Sequence, residues 1–186
     1  MKVMNEKKGF TLIELLAVIV VLAIVMVLAT TTVLPFIAKS RRNAFAIEAN
    51  AAIDAASAAV SLIQVDTIAG TANGSGITKG TDYTRKLNKS GETLTSTQYC
   101  FTLQQLIKIG SLKSEKIAKQ GDAQTPYAGR VVVTITEGSN QFTYNISMKN
   151  ANYEIVDHTG SVDGEEVQEL GTNSSANYAC PSDFNN

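Results

Sequence analysis

The chain has 186 residues, 44% of them hydrophobic and 18% charged, with a formal net charge of −1. That length holds one domain with a real core plus a membrane segment. So mild a charge gives no case for a nucleic-acid protein, and a single histidine, His158, leaves little material for metal or nucleophilic chemistry.

Residues 1–9 read as a short basic leader, with Lys2, Lys7 and Lys8 ahead of Gly9. The positive-inside rule puts such a start in the cytoplasm. An apolar run then opens at Phe10-Thr11-Leu12-Ile13-Glu14 and continues to Ala38, with no charge from Leu15 to Ala29. Roughly 20 such residues cross a bilayer as a helix. A charge at the centre of a spanning helix costs about 2.5–3.5 kcal/mol, so Glu14 calls for a function of its own. The rival reading is a secretory signal peptide, with Val27-Leu28-Ala29 as a small-residue cleavage pattern. Glu14 and a helical pattern that runs past Ala29 argue against it. Without the first nine residues Lys+Arg falls from 16 to 13 and Asp+Glu from 17 to 16, leaving a side-chain charge of −3.

The stretch Lys8-Gly9-Phe10-Thr11-Leu12-Ile13-Glu14 and the apolar run behind it resemble the N-terminal signature of type IV pilins and pseudopilins. The likeness is close from residue 7 to roughly residue 38. It implies cleavage by a prepilin peptidase between Gly9 and Phe10, N-methylation of Phe10, and a role for Glu14 in assembly. It also implies an α+β fold, in which a long N-terminal helix, its first half transmembrane, packs on an antiparallel sheet of three to four strands. The family's proline usually comes earlier, where this chain has Thr30-Thr31-Thr32; here Pro35 is the residue able to kink the helix. The sharper expectation is that Glu14 of an incoming subunit pairs with the Phe10 ammonium of its neighbour. The plainer one is a self-paired carboxylate with no part in assembly.

Past the membrane segment (10–38), Phe45, Ala49, Ala52, Ala56, Ala59 and Ile63 form one stripe at helical period. Asn50, Asp54, Ser57 and Ser61 fall on the opposite side, and Gly70 is a natural stop. Residues 39–69 therefore read as an amphipathic continuation of the same helix. Residues 70–100, rich in Gly, Thr, Ser, Asn and Lys, read as a surface loop; the G-x-x-x-x-G-K-[ST] spacing of a phosphate cradle is absent.

The remainder, 101–186, reads as a globular head. Residues 101–109 predict a short helix with Leu103, Leu106 and Ile107 on one face, and Thr125-Pro126 begins a turn. Period-two patterning then predicts strands over 130–136, 141–148 and 153–156, with Gly138-Ser139-Asn140 closing the first pair. Phe142, Tyr144, Ile146 and Met148 give the middle strand an apolar face for the alanine-rich helix. The acidic stretch 163–169 offers a fourth edge strand, and 171–186 a loop pinned by Cys180.

Cys100 and Cys180 allow one internal pairing outside the cytoplasm. Closing that loop of about 80 residues stabilises by roughly 4–5 kcal/mol on the chain-entropy model; two free buried thiols are the other reading. No convergent set of catalytic groups is apparent, so no enzyme and no cofactor are expected. His158, Asp157 and Ser161 read as a polar loop. Asp157, Asp163, Glu165 and Glu166 carry oxygens suited to calcium but lack EF-hand spacing, so a solvated acidic edge is favoured and no metal site is assigned. Charge is split along the head: residues 79–149 hold ten Lys/Arg against five Asp/Glu, and 150–186 hold seven acids and no Lys/Arg. The split suggests that Lys108, Lys113, Lys116, Lys119 and Arg130 meet Glu165, Glu166 and Glu169 of an adjacent subunit. The same basic patch lacks the interleaved aromatics of a DNA surface.

The expected function is a structural subunit of a type IV pilus-like filament, single-pass in a bacterial membrane before assembly and extracellular afterwards. Its partners would be copies of itself, the prepilin peptidase, the assembly machinery and the membrane. Weighed against it are a pseudopilin of a secretion or competence filament, a minor tip pilin acting as adhesin, and an anchored binding domain that never polymerises.

Overall fold

The computed structural model describes residues 9–69, 76–113, 127–139, 141–171 and 177–185. The leader lysines, Gly70, Lys116, Lys119, Thr125-Pro126 and Asn140 lie outside the described residues. Two compact units divide the chain, Met1–Ser40 and Arg41–Asn186. Helix α1 (Leu12–Ala69) contributes to both.

In the first unit every side chain from Phe10 to Ile37 is exposed. Leu15, Val18, Leu22, Val25 and Leu28 each leave more than half their surface uncovered. The helix is long and apolar enough to cross a membrane by length and composition. Pro35 lies inside it; proline has no N–H to donate and its ring opposes the helix. Five residues upstream, the Thr30 hydroxyl donates to the carbonyls of Met26 and Val27, at 3.1 and 2.9 Å. Thr31 donates to Leu28 and Thr32 to Leu28 and Ala29. These back-bonds satisfy three hydroxyls on an otherwise apolar surface, at the cost of a looser helix.

The second unit is built on a six-stranded sheet in sequence order, every neighbouring pair antiparallel. Its elements are β1 (Thr84–Ser90), β2 (Thr93–Thr102), α2 (Leu103–Lys108), β3 (Ala128–Thr136), β4 (Phe142–Lys149), β5 (Tyr153–Thr159) and β6 (Gln168–Glu169). The architecture is α+β, as the resemblance implies, with more strands than the expected three to four. The difference lies in the stretch expected as a loop over 70–100, where β1 and β2 form a hairpin. β1, Thr-Arg-Lys-Leu-Asn-Lys-Ser, has no apolar alternation to announce it. It is an edge strand, held by its backbone pairing to β2, and an edge strand needs little core-facing surface. The predicted helix at 101–109 begins two residues later, because Phe101 and Thr102 still belong to β2. Thr102 caps it by accepting from the Gln105 amide while the Gln105 side chain accepts from the Thr102 amide.

The predicted strands over 130–136, 141–148 and 153–156 correspond to β3, β4 and β5, and the acidic stretch supplies the short edge strand β6. The alanine stripe of α1 is the floor of the core: Ala49, Ala52, Ala56 and Ala59 are wholly buried with Phe45 and Ile63 beside them. They pack with Tyr99, Phe101, Val131, Val133, Ile146, Met148 and Ile155 from the sheet. Small side chains let the helix lie close, and the large ones come from the strands. Asp54 and Ser61 face solvent as expected, but Asn50 and Ser57 do not. Asn50 clamps the backbone of Val162 with two bonds, donating at 2.7 Å and accepting at 2.9 Å. Ser57 receives the Tyr144 hydroxyl at 3.2 Å.

Candidate functional site

The residues singled out at the start of the chain lie together at the mouth of α1. Gly9 and Phe10 precede the helix in irregular backbone, and Phe10 is 89% exposed. A β-carbon added at Gly9 would touch nothing within 4 Å.

The first turn explains how Glu14 is held. The Thr11 amide and the Thr11 hydroxyl both donate to Glu14 Oε2, each at 2.8 Å. The Glu14 amide returns a bond to Thr11 Oγ1 at 3.3 Å, and the Leu15 amide reaches the Thr11 carbonyl at 3.2 Å. This is a capping box, Thr-x-x-Glu, which satisfies two amides that a helix start otherwise leaves open. A carboxylate at a helix N-terminus also meets the positive end of the helix dipole. The signal was legible as Thr11-Leu12-Ile13-Glu14, and the sequence reading passed over it in favour of intersubunit pairing. In the single chain Glu14 is partnered by Thr11, one residue from the amino group that cleavage would create.

The other candidate residues are scattered over the second unit. Cys100 and Cys180 are joined, 80 residues apart in sequence with Cα atoms 5.9 Å apart. Asp157 accepts from Arg130 at 2.8 Å and from Ser147 at 2.9 Å. His158 Nε2 lies 2.9 Å from the Ser161 carbonyl oxygen. Asp163 accepts from the Glu165 amide, and Glu166 from the Asp163 amide, both at 2.7 Å. Of the carboxylates weighed for calcium, Asp163 and Glu166 are therefore turned onto nearby backbone amides and Asp157 onto Arg130. Among the described residues no group of three or more His, Cys, Asp or Glu is placed to hold a metal ion.

Two members of the basic run, Lys108 and Arg130, are likewise engaged within the chain, whereas Lys113 is exposed and in no ion pair among the described residues. Lys108 donates to the buried carboxylate of Asp82 at 2.6 Å, and Arg130 also donates to the Ala179 carbonyl. Lys116 and Lys119 lie outside the described residues. Glu169, expected to face a neighbour, meets Arg42 at 3.4 Å. The sequence reading missed Glu48, a buried carboxylate on α1 that accepts from the Tyr127 hydroxyl at 2.7 Å.

No curated protein and no solved structure matches this chain. Residues 4–30 match the family model described as the prokaryotic N-terminal methylation motif. That match covers the leader from residue 4, the Gly9–Phe10 bond, the Thr11–Glu14 cap and the exposed apolar run as far as Thr30. The chain thus carries the prokaryotic N-terminal methylation motif, the class III signal peptide of type IV pilins, at the head of a long apolar helix.

Proposed function

We propose that this protein is a structural subunit of a type IV pilus-like surface filament. The prepilin peptidase cuts it between Gly9 and Phe10, Phe10 is N-methylated, and the chain polymerises through the first half of α1. One observation carries the reading: behind a processing motif, an apolar helical surface from Phe10 to Ile37 stands wholly uncovered and holds one carboxylate. Such a surface is stable in lipid or against copies of itself. Before assembly the Thr11 cap shields Glu14, lowering the cost of a carboxylate at the edge of the bilayer. At assembly the carboxylate meets the Phe10 ammonium of a neighbouring subunit, which methylation leaves charged. In low dielectric such a pair attracts strongly when the two groups touch, and it sets the axial register of the filament.

Intact mass and N-terminal sequence of the protein recovered from its host test the first step. A start at methylated Phe10 is expected; a start at Thr30 would make the chain a secreted protein, and an uncut Met1 an anchored one. The second step is tested by Glu14→Ala, which is expected to abolish filaments while leaving processed protein in the membrane. Filaments of normal yield from that variant would remove Glu14 from assembly.

A further inference from the structure

The sheet order places opposite charges at opposite edges of the second unit. β1 is one edge, bearing Arg85, Lys86 and Lys89, and the segment folded beside it carries Lys79. Lys86 is paired with Asp183. Lys79, Arg85 and Lys89 have no ion-pair partner among the described residues; Asp82, between the first two in sequence, is taken by Lys108, and Glu92 in the hairpin turn lies three residues from Lys89. Lys79 and Lys89 are exposed. At the other edge, Asp163, Glu165 and Glu166 lead into β6 and Glu169 lies within it, all four exposed. Only Glu169 has a cationic partner among the described residues, Arg42. Five strand spacings, about 24 Å along the sheet, separate β1 from β6.

We propose that these edges are one heterologous contact: the β1 edge of one copy, through Lys79, Arg85 and Lys89, receives Asp163, Glu165 and Glu166 of the next. The proposal rests on the filament reading and deepens it by naming the surfaces through which the heads meet. Of the five basic residues expected from sequence to meet these acids, Lys108 and Arg130 are satisfied within the chain. A contact between two different patches repeats head to tail, which builds a filament where the rotation does not close into a ring and cannot build a symmetric dimer. Each exposed charge pair contributes little, but the contact recurs at every subunit and its effect accumulates along the fibre. The unpaired backbone edge of β1 is guarded by lysines against strand-to-strand pairing, so the contact is made by side chains and is sensitive to salt.

The test is zero-length carbodiimide crosslinking of intact filaments at low and high salt, read by mass spectrometry. An amide between Lys79 or Lys89 and Asp163, Glu165 or Glu166 is expected at low salt and lost at high salt. Such a link is read as joining two subunits, since β2 to β5 lie between β1 and β6 within one. In parallel, Lys89→Glu and Glu165→Lys are each expected to lower the yield of sheared filaments several-fold, and the two together to restore it. Filaments built of this chain that show no such link, or link the acidic segment to Lys39 or Lys113 instead, overturn the proposal and leave the filament reading intact. Unchanged yield in both single variants overturns it equally. Absence of this chain from any filament overturns the filament reading, and the proposal with it.

Discussion

Asp82 shows how far one carboxylate can organise a loop that has little core of its own. It is buried, and its two oxygens are held from different directions: Lys108 donates to Oδ1 at 2.6 Å and the Thr78 amide to Oδ2 at 2.9 Å. The lysine's hydrogen bond first, and the amide second, hold its carboxyl below the ordinary value of 3.8. A carboxyl depressed in the folded state adds stability above its unfolded value and loses it as pH falls through the folded one. Asp82→Asn should therefore destabilise the protein by about 1–2 kcal/mol at neutral pH. Thermal unfolding in detergent should show that gap close as the pH drops below 3.8. A gap independent of pH would mean that packing, and not the charge, is what the substitution removes. A second buried carboxylate, Glu48, has a neutral partner. Burial pushes the Tyr127 hydroxyl up to about 12, so it donates throughout the physiological range. Tyr127→Phe leaves Glu48 without that bond in a buried site and should cost about 1–3 kcal/mol. Tyr144→Phe, which loses a longer bond to Ser57 at a half-buried position, should cost less in the same unfolding experiment.

The elements fit because small residues stand where two of them cross. Gly129 in β3 is such a point. A β-carbon there would lie 2.8 Å from the Ser147 carbonyl oxygen, and 3.0 Å from both Leu103 Cδ1 and Met148 Cα. Two of those neighbours are backbone and cannot step aside. Gly129→Ala should lower stability by about 1–3 kcal/mol through overpacking, and Leu103→Ala in the same chain should relieve part of that strain while opening a cavity of its own. An additive double variant would show that Leu103 is not the residue in the way. At this scale α1 and the three central strands were legible, because Ala49, Ala52, Ala56 and Ala59 repeat at helical period and Ile146 and Met148 alternate. The β1–β2 hairpin was not. Its Lys, Thr, Asn and Ser side chains carry the composition of a loop, and only pairing with Val131, Val132 and Val133 of β3 makes the stretch a sheet. Asn50 was placed in solvent for the same reason: its period is that of the outer face, but Val162 comes over it.

Over the whole molecule, residues 177–185 act as a strap across several strands. Cys180 ties it to β2, Arg130 of β3 donates to the Ala179 carbonyl, Tyr178 donates to Glu154 of β5 at 2.6 Å, and Asp183 pairs with Lys86 of β1. Phe184 is buried with Cys100 and Val132. Replacing both cysteines by serine should lower the unfolding free energy by up to about 4–5 kcal/mol on the chain-entropy model. Reductant should lower the melting temperature of the natural protein to the same extent and leave the variant unchanged. A natural protein indifferent to reductant would show that the other strap contacts suffice.

The sequence by itself determined the processing motif, the apolar helix and the alanine stripe. Each of these is local or periodic: a cleavage signal, a run of apolar residues and a helical repeat are all carried by neighbours along the chain. Tertiary structure alone decided that Lys108 and Arg130 are satisfied internally, that Glu48 is buried, that residues 84–102 are sheet, and that unpaired cations and carboxylates gather at opposite edges. Those are partnerships across tens of residues. No pattern along the chain encodes them, because charge and polarity show which groups need a partner and only the fold brings the partner within reach.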